Sequence, residues 1–148
     1  MIIKRLDAYT PEIANRVREL LIQLSRSGKD RGEIPEEWFN DLIKSDYHDM
    51  LLAIEDDKIV GIATLSVTMG PITRKNAYLE DFVTDQEFRG KGVGSALWNE
   101  MLIWSKEKGC KNLCFTCGHG REKSQEFYKH HGAEIYDTNF FRKEVPLE

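Results

Sequence analysis

The sequence predicts an α/β (α+β) protein: a mixed, mostly antiparallel central sheet with helices on both of its faces. Several short runs alternate apolar and polar residues, while longer stretches repeat apolar residues at helical spacing. The strand–helix–strand run over residues 77–116 is long enough for a crossover between parallel strands. The 148 residues contain no internal repeat and no Pro- or Ser-rich linker, so we expect one domain over residues 1–148.

The predicted elements begin with a strand, two helices and a hairpin. Thr10 is a favourable N-cap residue and Pro11 suits the first helical position, which sets the start of the first helix. A tight turn at residues 56–58 separates the two hairpin strands. The expected bounds are 2–6 for the first strand, 11–24 and 35–43 for the helices, and 50–55 and 59–69 for the hairpin.

The remaining elements alternate strands with helices. Gly109 and Gly132 supply two helix ends, because glycine readily adopts the left-handed conformation that terminates a helix. The expected bounds are 77–84 and 112–116 for strands, 92–108 and 121–131 for helices, and 133–145 for a last strand or hairpin pair.

Composition narrows the classes of function. The formal net charge of −4 argues against a nucleic-acid partner, because neutralising phosphates requires a basic surface, and it leaves room for a cationic substrate such as an amine. No apolar run approaches the roughly 20 residues of a membrane span, so we expect no membrane partner. The first residues lack the pattern of a secretory signal, and we expect a cytoplasmic location.

The turn over residues 88–95 carries the most informative pattern. It follows a predicted strand, opens a predicted helix and alternates three glycines with cationic residues: Arg89, Gly90, Lys91, Gly92 and Gly94. Glycine lets the backbone approach a ligand closely, and a helix start offers unpaired N–H groups and a partial positive charge. The turn therefore predicts a cradle for an anion such as a pyrophosphate.

Two common phosphate motifs do not fit this turn. A P-loop requires Gly-Lys followed by Ser or Thr, which the chain lacks. A dinucleotide fingerprint requires G-x-G-x-x-G. Counted from Gly90 and Gly92, its third glycine would stand at position 95, which is Ser95, whereas the third glycine of this chain is Gly94. The phosphate ligand is therefore of another kind.

Arg89-x-x-Gly92-x-Gly94 resembles the coenzyme A-binding signature R/Q-x-x-G-x-G/A of the GNAT superfamily of N-acetyltransferases. The resemblance extends to the preceding strand, residues 79–85, and to the helix that follows. Further along the chain, Phe127-Tyr128-x-x-x-Gly132 is similar to the F/L-Y-x-x-x-G found near the end of that family. Element order also fits from the first strand, so the resemblance covers nearly the whole chain.

The resemblance implies acetyl-CoA as cofactor and a splayed pair of parallel strands beside it. In such enzymes the glycine turn holds the pyrophosphate, a role carried over to Arg89, Gly90, Lys91, Gly92, Gly94 and Ser95. The preceding strand pairs through its backbone with the pantetheine arm, which places Phe82 and Val83 along it. Arg121 replaces the Asn of many members, and Ser124 stands where a small residue is common.

The resemblance also implies catalytic roles. Tyr128 matches the tyrosine that protonates or hydrogen-bonds the CoA sulfur. Glu80 is the best candidate for the base that deprotonates the amine, since Leu79-Glu80-Asp81 resembles the Ile-Glu-Asp of small-amine acetyltransferases, and Asp81 is the reserve. Period-two alternation places Glu80 and Asp81 on opposite faces of the strand unless a bulge intervenes.

The cysteines do not predict a metal site. Cys110, Cys114 and Cys117 are an odd, clustered set that is not typical of a disulfide framework. Cys114-x-x-Cys117 has neighbouring histidines, but an offset of three along a strand directs the two thiols to opposite faces. We expect no bound metal, and we interpret Cys114 as a small core residue.

Three functions remain open at this point. The first is an N-acetyltransferase that transfers acetyl from acetyl-CoA to a primary amine, on a small molecule or peptide, by direct attack in a ternary complex. The second is a non-catalytic acyl-CoA-binding or regulatory module. The third, a nucleic-acid-associated domain using Lys106, Lys108 and Lys111, is disfavoured by the acidic balance. The resemblance further implies a homodimer.

Overall fold

A five-stranded sheet forms the centre of the first compact unit, Met1–Phe115, in a computed structural model that describes residues 1–147. The strands lie in the order in which they occur along the chain. Successive strands β1 to β4 pair antiparallel, while β4 and β5 pair parallel. The strands are β1 (Ile2–Arg5), β2 (His48–Glu55), β3 (Lys58–Gly70), β4 (Arg74–Thr84) and β5 (Leu113–Cys114). The expected mixed, mostly antiparallel sheet is confirmed.

Three helices belong to the same unit: α1 (Pro11–Leu24), α2 (Glu36–Lys44) and α3 (Val93–Glu107). Thr10 caps α1 as expected, because its hydroxyl accepts a hydrogen bond of 3.1 Å from the Ile13 N–H. Gly109 follows α3 with a φ of 75°, the left-handed conformation that its position requires. No helix among residues 1–147 is long and apolar enough to cross a membrane.

Helices cover both faces of the sheet. Residues of α1 and α2 share one buried cluster with alternate residues of the central strands: Val17, Leu20, Phe39, Leu42, Met50, Leu52, Ile62 and Val83. The opposite face meets α3, because a Cβ built on Gly61 would lie 2.9 Å from Val93 Cγ1 and 3.0 Å from Leu97 Cδ1. Adjacent residues of a strand point to opposite faces, so Gly61 faces α3 while Ile62 faces α1 and α2.

The parallel pair β4–β5 is splayed, as expected. Only Ala77 with Leu113 and Tyr78 with Cys114 are in register, after which β5 ends. From residue 79 to residue 84, β4 therefore has no strand partner on the β5 side within the described sheet.

The second compact unit begins at Thr116 and contains α4 (Glu122–His130), which Gly132 follows with a φ of 86°. The expectation of a last strand or hairpin pair over 133–145 is wrong, since residues 133–147 form no helix or strand. A strand needs a neighbour for its N–H and C=O groups, and its apolar pattern alone supplies none. The single domain over residues 1–148 stays a prediction, and Glu148 lies outside the described residues.

Candidate active site

The glycine turn joins β4 to α3. A short 3-10 turn (Gln86–Phe88) follows β4, and Gly90 and Gly92 then adopt φ values of 76° and 85°. A Cβ at either glycine would meet no atom within 4 Å, so the positive φ, rather than space, favours glycine at both positions. The turn leaves open space on its outer side, where a ligand can approach the backbone.

Gly92 is the N-cap residue of α3 and offers no side chain to cap the helix. The first intrahelical hydrogen bond runs over 3.0 Å from the Ala96 N–H to the Gly92 carbonyl. The N–H groups of Val93 and Gly94 therefore have no acceptor within the helix. Together with the helix dipole, they create a site suited to an anion.

Cations surround the turn. Arg89 and Lys91 are exposed, and the Arg89 Nε donates over 3.5 Å to the Thr84 carbonyl. Lys91 Nζ lies 4.8 Å from the centre of the Phe88 ring, and Lys58 Nζ lies 5.7 Å from it. Arg89 and Lys91 thus add positive charge to the backbone donors, a set that fits a diphosphate. Lys58 is already engaged, because its Nζ lies 3.6 Å from the Asp85 carboxylate and 3.7 Å from the Glu87 carboxylate.

A bulge interrupts β4 between Glu80 and Val83. Glu80 pairs with Thr64 and Val83 with Ile62, so Asp81 and Phe82 both stand opposite one residue of β3. Asp81 has a φ of 47°, the left-handed conformation that asparagine and aspartate tolerate better than most residues. A bulge therefore intervenes in β4, so the strict alternation of Glu80 and Asp81 does not hold.

The bulge changes which side chains share a face. Regular alternation predicts Glu80 with Phe82 and Asp81 with Val83, and that assignment is wrong beyond the bulge. Thr64 and Ile62 are two residues apart on β3, so their partners Glu80 and Val83 lie on the same face of the sheet, the face of α1 and α2. Val83 is buried in the cluster on that face, whereas the Glu80 carboxylate is exposed beside it.

The two carboxylates of this segment have raised pKa values. Loss of hydration, followed by the negative charge of Asp81, raises the pKa of Glu80 above its ordinary value. Loss of hydration also raises the pKa of Asp81, although the Arg31 guanidinium opposes the shift. A carboxylate with a raised pKa is a stronger base than an ordinary one.

Thr64 is a polar residue of this region that the sequence did not single out. It is 7% exposed, and its Oγ1 has no hydrogen-bond partner among the described residues. The hydroxyl sits in register with Glu80. A threonine within an apolar strand run gives no local signal of such a position, because the pairing register comes from the hairpin.

Tyr128 lies on α4 in the second unit. Burial raises its pKa to about 12; the nearby Cys117 contributes, and the Arg121 guanidinium opposes the shift. Its hydroxyl is therefore fully protonated at neutral pH and can donate a hydrogen bond. Arg121 is the N-cap residue of α4, and Ser124 lies half-buried in its first turn.

The interpretation of Cys114 as a core residue is wrong. Cys114 is exposed, because β5 is an edge strand of only two residues and nothing in the first unit covers its outer side. Across residues 1–147, no group of three or more His, Cys, Asp or Glu side chains is arranged to hold a metal ion.

Comparison with known proteins identifies the family. The model of the acetyltransferase (GNAT) family matches residues 14–133. The chain belongs to this family. The match confirms the family that the glycine signature and the Phe127-Tyr128 pair predict, and it spans both the glycine turn and α4.

Curated relatives of this GNAT protein match it over shorter stretches. The thialysine N-epsilon-acetyltransferase of Bos taurus is 32% identical over 60 residues, which are 40% of this chain and 35% of that protein. The glucosamine 6-phosphate N-acetyltransferase of Trypanosoma brucei brucei is 33% identical over 84 residues, which are 54% of each protein. The matches thus span between about a third and a half of these relatives' lengths.

Solved structures match the whole fold. An aminoglycoside N-acetyltransferase crystallised in complex with CoA is 19% identical with a TM-score of 0.76, covering 97% of this chain and 100% of that one. At this identity the likeness shows the fold alone, and the GNAT fold expected from the sequence is confirmed.

Proposed function

We propose that this protein is an N-acetyltransferase that transfers an acetyl group from acetyl-CoA to a primary amine by direct attack in a ternary complex. The observation that carries the proposal is the glycine turn, whose left-handed Gly92 opens α3 toward an anion. Membership of the acetyltransferase family supports it. Acetyl-CoA supplies the acetyl group as a thioester.

The turn fits the diphosphate of acetyl-CoA. Open space at Gly90 and Gly92 and the adjacent cations Arg89 and Lys91 suit two neighbouring phosphates. The edge of β4 at Phe82 and Val83, beyond the end of β5, suits the amide groups of the pantetheine arm. The residues that we propose to hold the cofactor are Phe82, Val83, Arg89, Gly90, Lys91, Gly92, Gly94, Ser95, Arg121 and Ser124.

Glu80 is the proposed general base. A protonated amine has no free electron pair, so it must lose a proton before it can attack the thioester. The exposed carboxylate of Glu80, with its raised pKa, is suited to accept that proton directly or through water. Asp81, which lies on the bulge, is the alternative candidate for the general base.

Tyr128 is the proposed donor to the CoA sulfur. Because its pKa is about 12 and a thiol's is about 8.5, complete proton transfer from tyrosine to thiolate is uphill. We therefore propose that Tyr128 stabilises the departing thiolate mainly by a hydrogen bond, while the proton reaches sulfur from solvent or from the amine.

The acceptor is proposed to be a small molecule or a peptide with a primary amine. The relatives that this chain matches include a thialysine and a glucosamine 6-phosphate acetyltransferase. Among the acidic residues after α1, Asp30 is engaged by Arg18 through two hydrogen bonds of 2.8 and 2.7 Å. Glu33, Glu36 and Glu37 are exposed and favour a cationic acceptor.

Two measurements test this function. Isothermal titration measures CoA binding, and a thiol reagent measures release of CoA from acetyl-CoA mixed with polyamines, amino sugars or lysine peptides. We expect binding together with amine-dependent release. Absence of CoA binding contradicts the proposal, while binding with no release for any amine favours a non-catalytic acyl-CoA-binding module.

A cytoplasmic homodimer completes the proposal. Cys110, Cys114 and Cys117 form no disulfide, which fits a reducing compartment. Tyr136 and Phe141 in the segment after α4 are 86% and 87% exposed, which favours association with a second copy. Sedimentation velocity checks the dimer, and a monomer at all concentrations contradicts it.

A further inference from the structure

A buried ion pair lies directly beneath the start of the glycine turn. Asp85, the residue after β4, is 2% exposed, and its carboxylate accepts a hydrogen bond from the Arg16 guanidinium of α1. The Arg16 side chain is itself only 15% exposed. The two residues are 69 positions apart in the sequence, so the contact joins α1 to the turn.

Arg16 is fixed by three neighbours. Its Nε donates to the Ile59 carbonyl over 2.8 Å, its Nη1 donates to Glu19 over 2.7 Å, and its Nη2 donates to Asp85. These bonds hold the planar guanidinium in one orientation, which a lysine ammonium would not reproduce. The position of the Asp85 carboxylate is therefore determined by α1 and β3 together.

Asp85 also holds the backbone that leads into the glycine turn. Its Oδ1 accepts the Glu87 N–H over 3.1 Å, and its carbonyl accepts the Phe88 N–H over 2.8 Å. Its own N–H donates to the Val60 carbonyl over 2.8 Å. The side chain thus caps the 3-10 turn whose end is Arg89, the first residue of the proposed diphosphate site.

Burial of the Asp85 carboxylate costs hydration, which its hydrogen-bond partners offset. Desolvation opposes the ionisation of Asp85, but the Glu87 N–H and the Arg16 guanidinium outweigh it and lower the pKa of this carboxyl. Replacing a buried ion pair with apolar residues is often neutral or stabilising, and in some proteins such a pair is retained because it fixes a geometry. A bare carboxylate would also repel a diphosphate, and Arg16 and Lys58, the latter at 3.6 Å, offset its charge.

We infer that Arg16 and Asp85 are positioning residues of the diphosphate site: the Asp85 side chain orients the start of the glycine turn, and Arg16 holds that side chain in place and offsets its charge. This inference rests on the proposed function, since it assumes that the turn binds CoA. Neither residue touches the reacting atoms. Their effect should reach only ligands that carry the diphosphate.

The test compares two ligands that differ in that group. The affinity for CoA is measured by calorimetry, and the affinity for pantetheine, which ends before the diphosphate, by NMR titration. Asp85→Ala removes the cap and the charge pairing, and Arg16→Met leaves only the more exposed Lys58, at 3.6 Å, to offset the charge of the Asp85 carboxylate. We expect each variant to weaken CoA by about fivefold or more while pantetheine changes less than about twofold.

Matched controls separate positioning from general damage. Glu107→Ala breaks the exposed ion pair with Arg5 at the far end of α3 and should leave both affinities unchanged. If Asp85→Ala fails to fold, Asp85→Asn keeps a cap acceptor for the Glu87 N–H and removes the charge, and it should show a smaller selective loss of CoA.

The outcomes are distinct. Equal losses for CoA and pantetheine, or unchanged CoA affinity in folded Asp85→Asn and Arg16→Met, overturn the inference while leaving the proposed function intact. Wild-type protein that binds no CoA overturns the proposed function itself.

Discussion

The glycine turn and the bulge of β4 lie close together in the sequence but reach unusual backbone conformations in different ways. The turn places glycines at φ values of 76° and 85°, so its conformation carries no side-chain penalty. The bulge places an aspartate, Asp81, at a φ of 47°, which is strained by comparison. One segment is built to present backbone groups, and the other to redirect side chains.

This difference separates two kinds of failure. A change in the turn should weaken binding of the cofactor, because backbone N–H groups make the contact. A change at the bulge should slow the reaction, because it moves a carboxylate without altering the turn. Substitutions in each region can test whether the separation holds.

The largest expected effect is on turnover through Glu80. Glu80→Gln keeps the shape of the side chain but removes the base, and we expect kcat to fall by about 10²- to 10³-fold with the affinity for CoA unchanged. In wild-type protein, kcat/KM should rise with pH as Glu80 loses its proton, above the ordinary carboxyl pKa, and Glu80→Gln should lack this limb.

The control for this prediction is Glu55→Gln, at the end of β2, where the carboxylate pairs with the chain's N-terminus. It should leave both kcat and the pH profile unchanged. A Glu80→Gln variant with wild-type turnover would assign the base to another group, and Asp81→Asn is then the variant to measure.

The next effect concerns the turn. Gly92→Val places a β-branched residue at a φ of 85°, and the cost of that conformation should weaken CoA by about tenfold or more. Gly109→Val imposes a similar strain at the other end of α3, at a φ of 75°, and should lower stability without changing CoA affinity. Equal CoA affinities for the two variants, measured by calorimetry, would show that the glycine turn does not bind CoA.

Tyr128→Phe should have a smaller effect, on turnover alone. Loss of a hydrogen bond to the departing thiolate is expected to lower kcat by about tenfold, with CoA affinity within about twofold of wild type. Tyr9→Phe is the matched control, since Tyr9 is also half-buried and its ring centre lies 5.5 Å from that of Phe39. It should leave kcat unchanged. Steady-state kinetics with an unchanged rate for Tyr128→Phe would reject its role.

The smallest effect is on stability at the bulge. The raised pKa of Asp81 means that the folded protein binds its proton more tightly than the unfolded chain, so stability falls as pH rises through that pKa. Asp81→Asn removes the charge and should stabilise the protein at neutral pH by less than about 1 kcal/mol.

Thermal unfolding at pH 7 and pH 4 checks this expectation, and the gain should shrink at the lower pH. Asp57→Asn, in the exposed hairpin turn at a φ of 60°, measures the conformational part of the same substitution. A gain at Asp81 no larger than that at Asp57 would show that the carboxylate charge is well tolerated.

Local signals in the sequence predict the first unit well. Thr10 and Pro11 specify the start of α1, and the glycine after α3 specifies its end, because these residues act on neighbouring backbone groups. The glycine turn is predictable for the same reason. The residues that adopt positive φ values there are themselves glycines, which the sequence displays directly.

Features that depend on distant residues were not predictable. Asp85 meets Arg16 across 69 positions, and nothing near Asp85 in the sequence indicates its burial. The bulge depends on the pairing of β3 with β4, and no residue near Glu80 and Asp81 in the sequence indicates where that pairing shifts. The apolar residues after α4 resemble a strand, but a strand also requires a partner, which this pattern does not encode.

Gly61 has a consequence for how relatives of this protein can differ. Because α3 lies so close to β3 at this point, any side chain at position 61 would need a smaller neighbour at Val93 or Leu97. Val93 directly follows the turn, so a hairpin residue constrains the first residue of the helix on which the turn depends. Positions 61 and 93 should therefore tend to change together during evolution. Val93→Ala should restore part of the stability lost in Gly61→Ala, as thermal unfolding of the single and double variants would show, because the Val83 carbonyl would still lie 3.2 Å from the added Cβ.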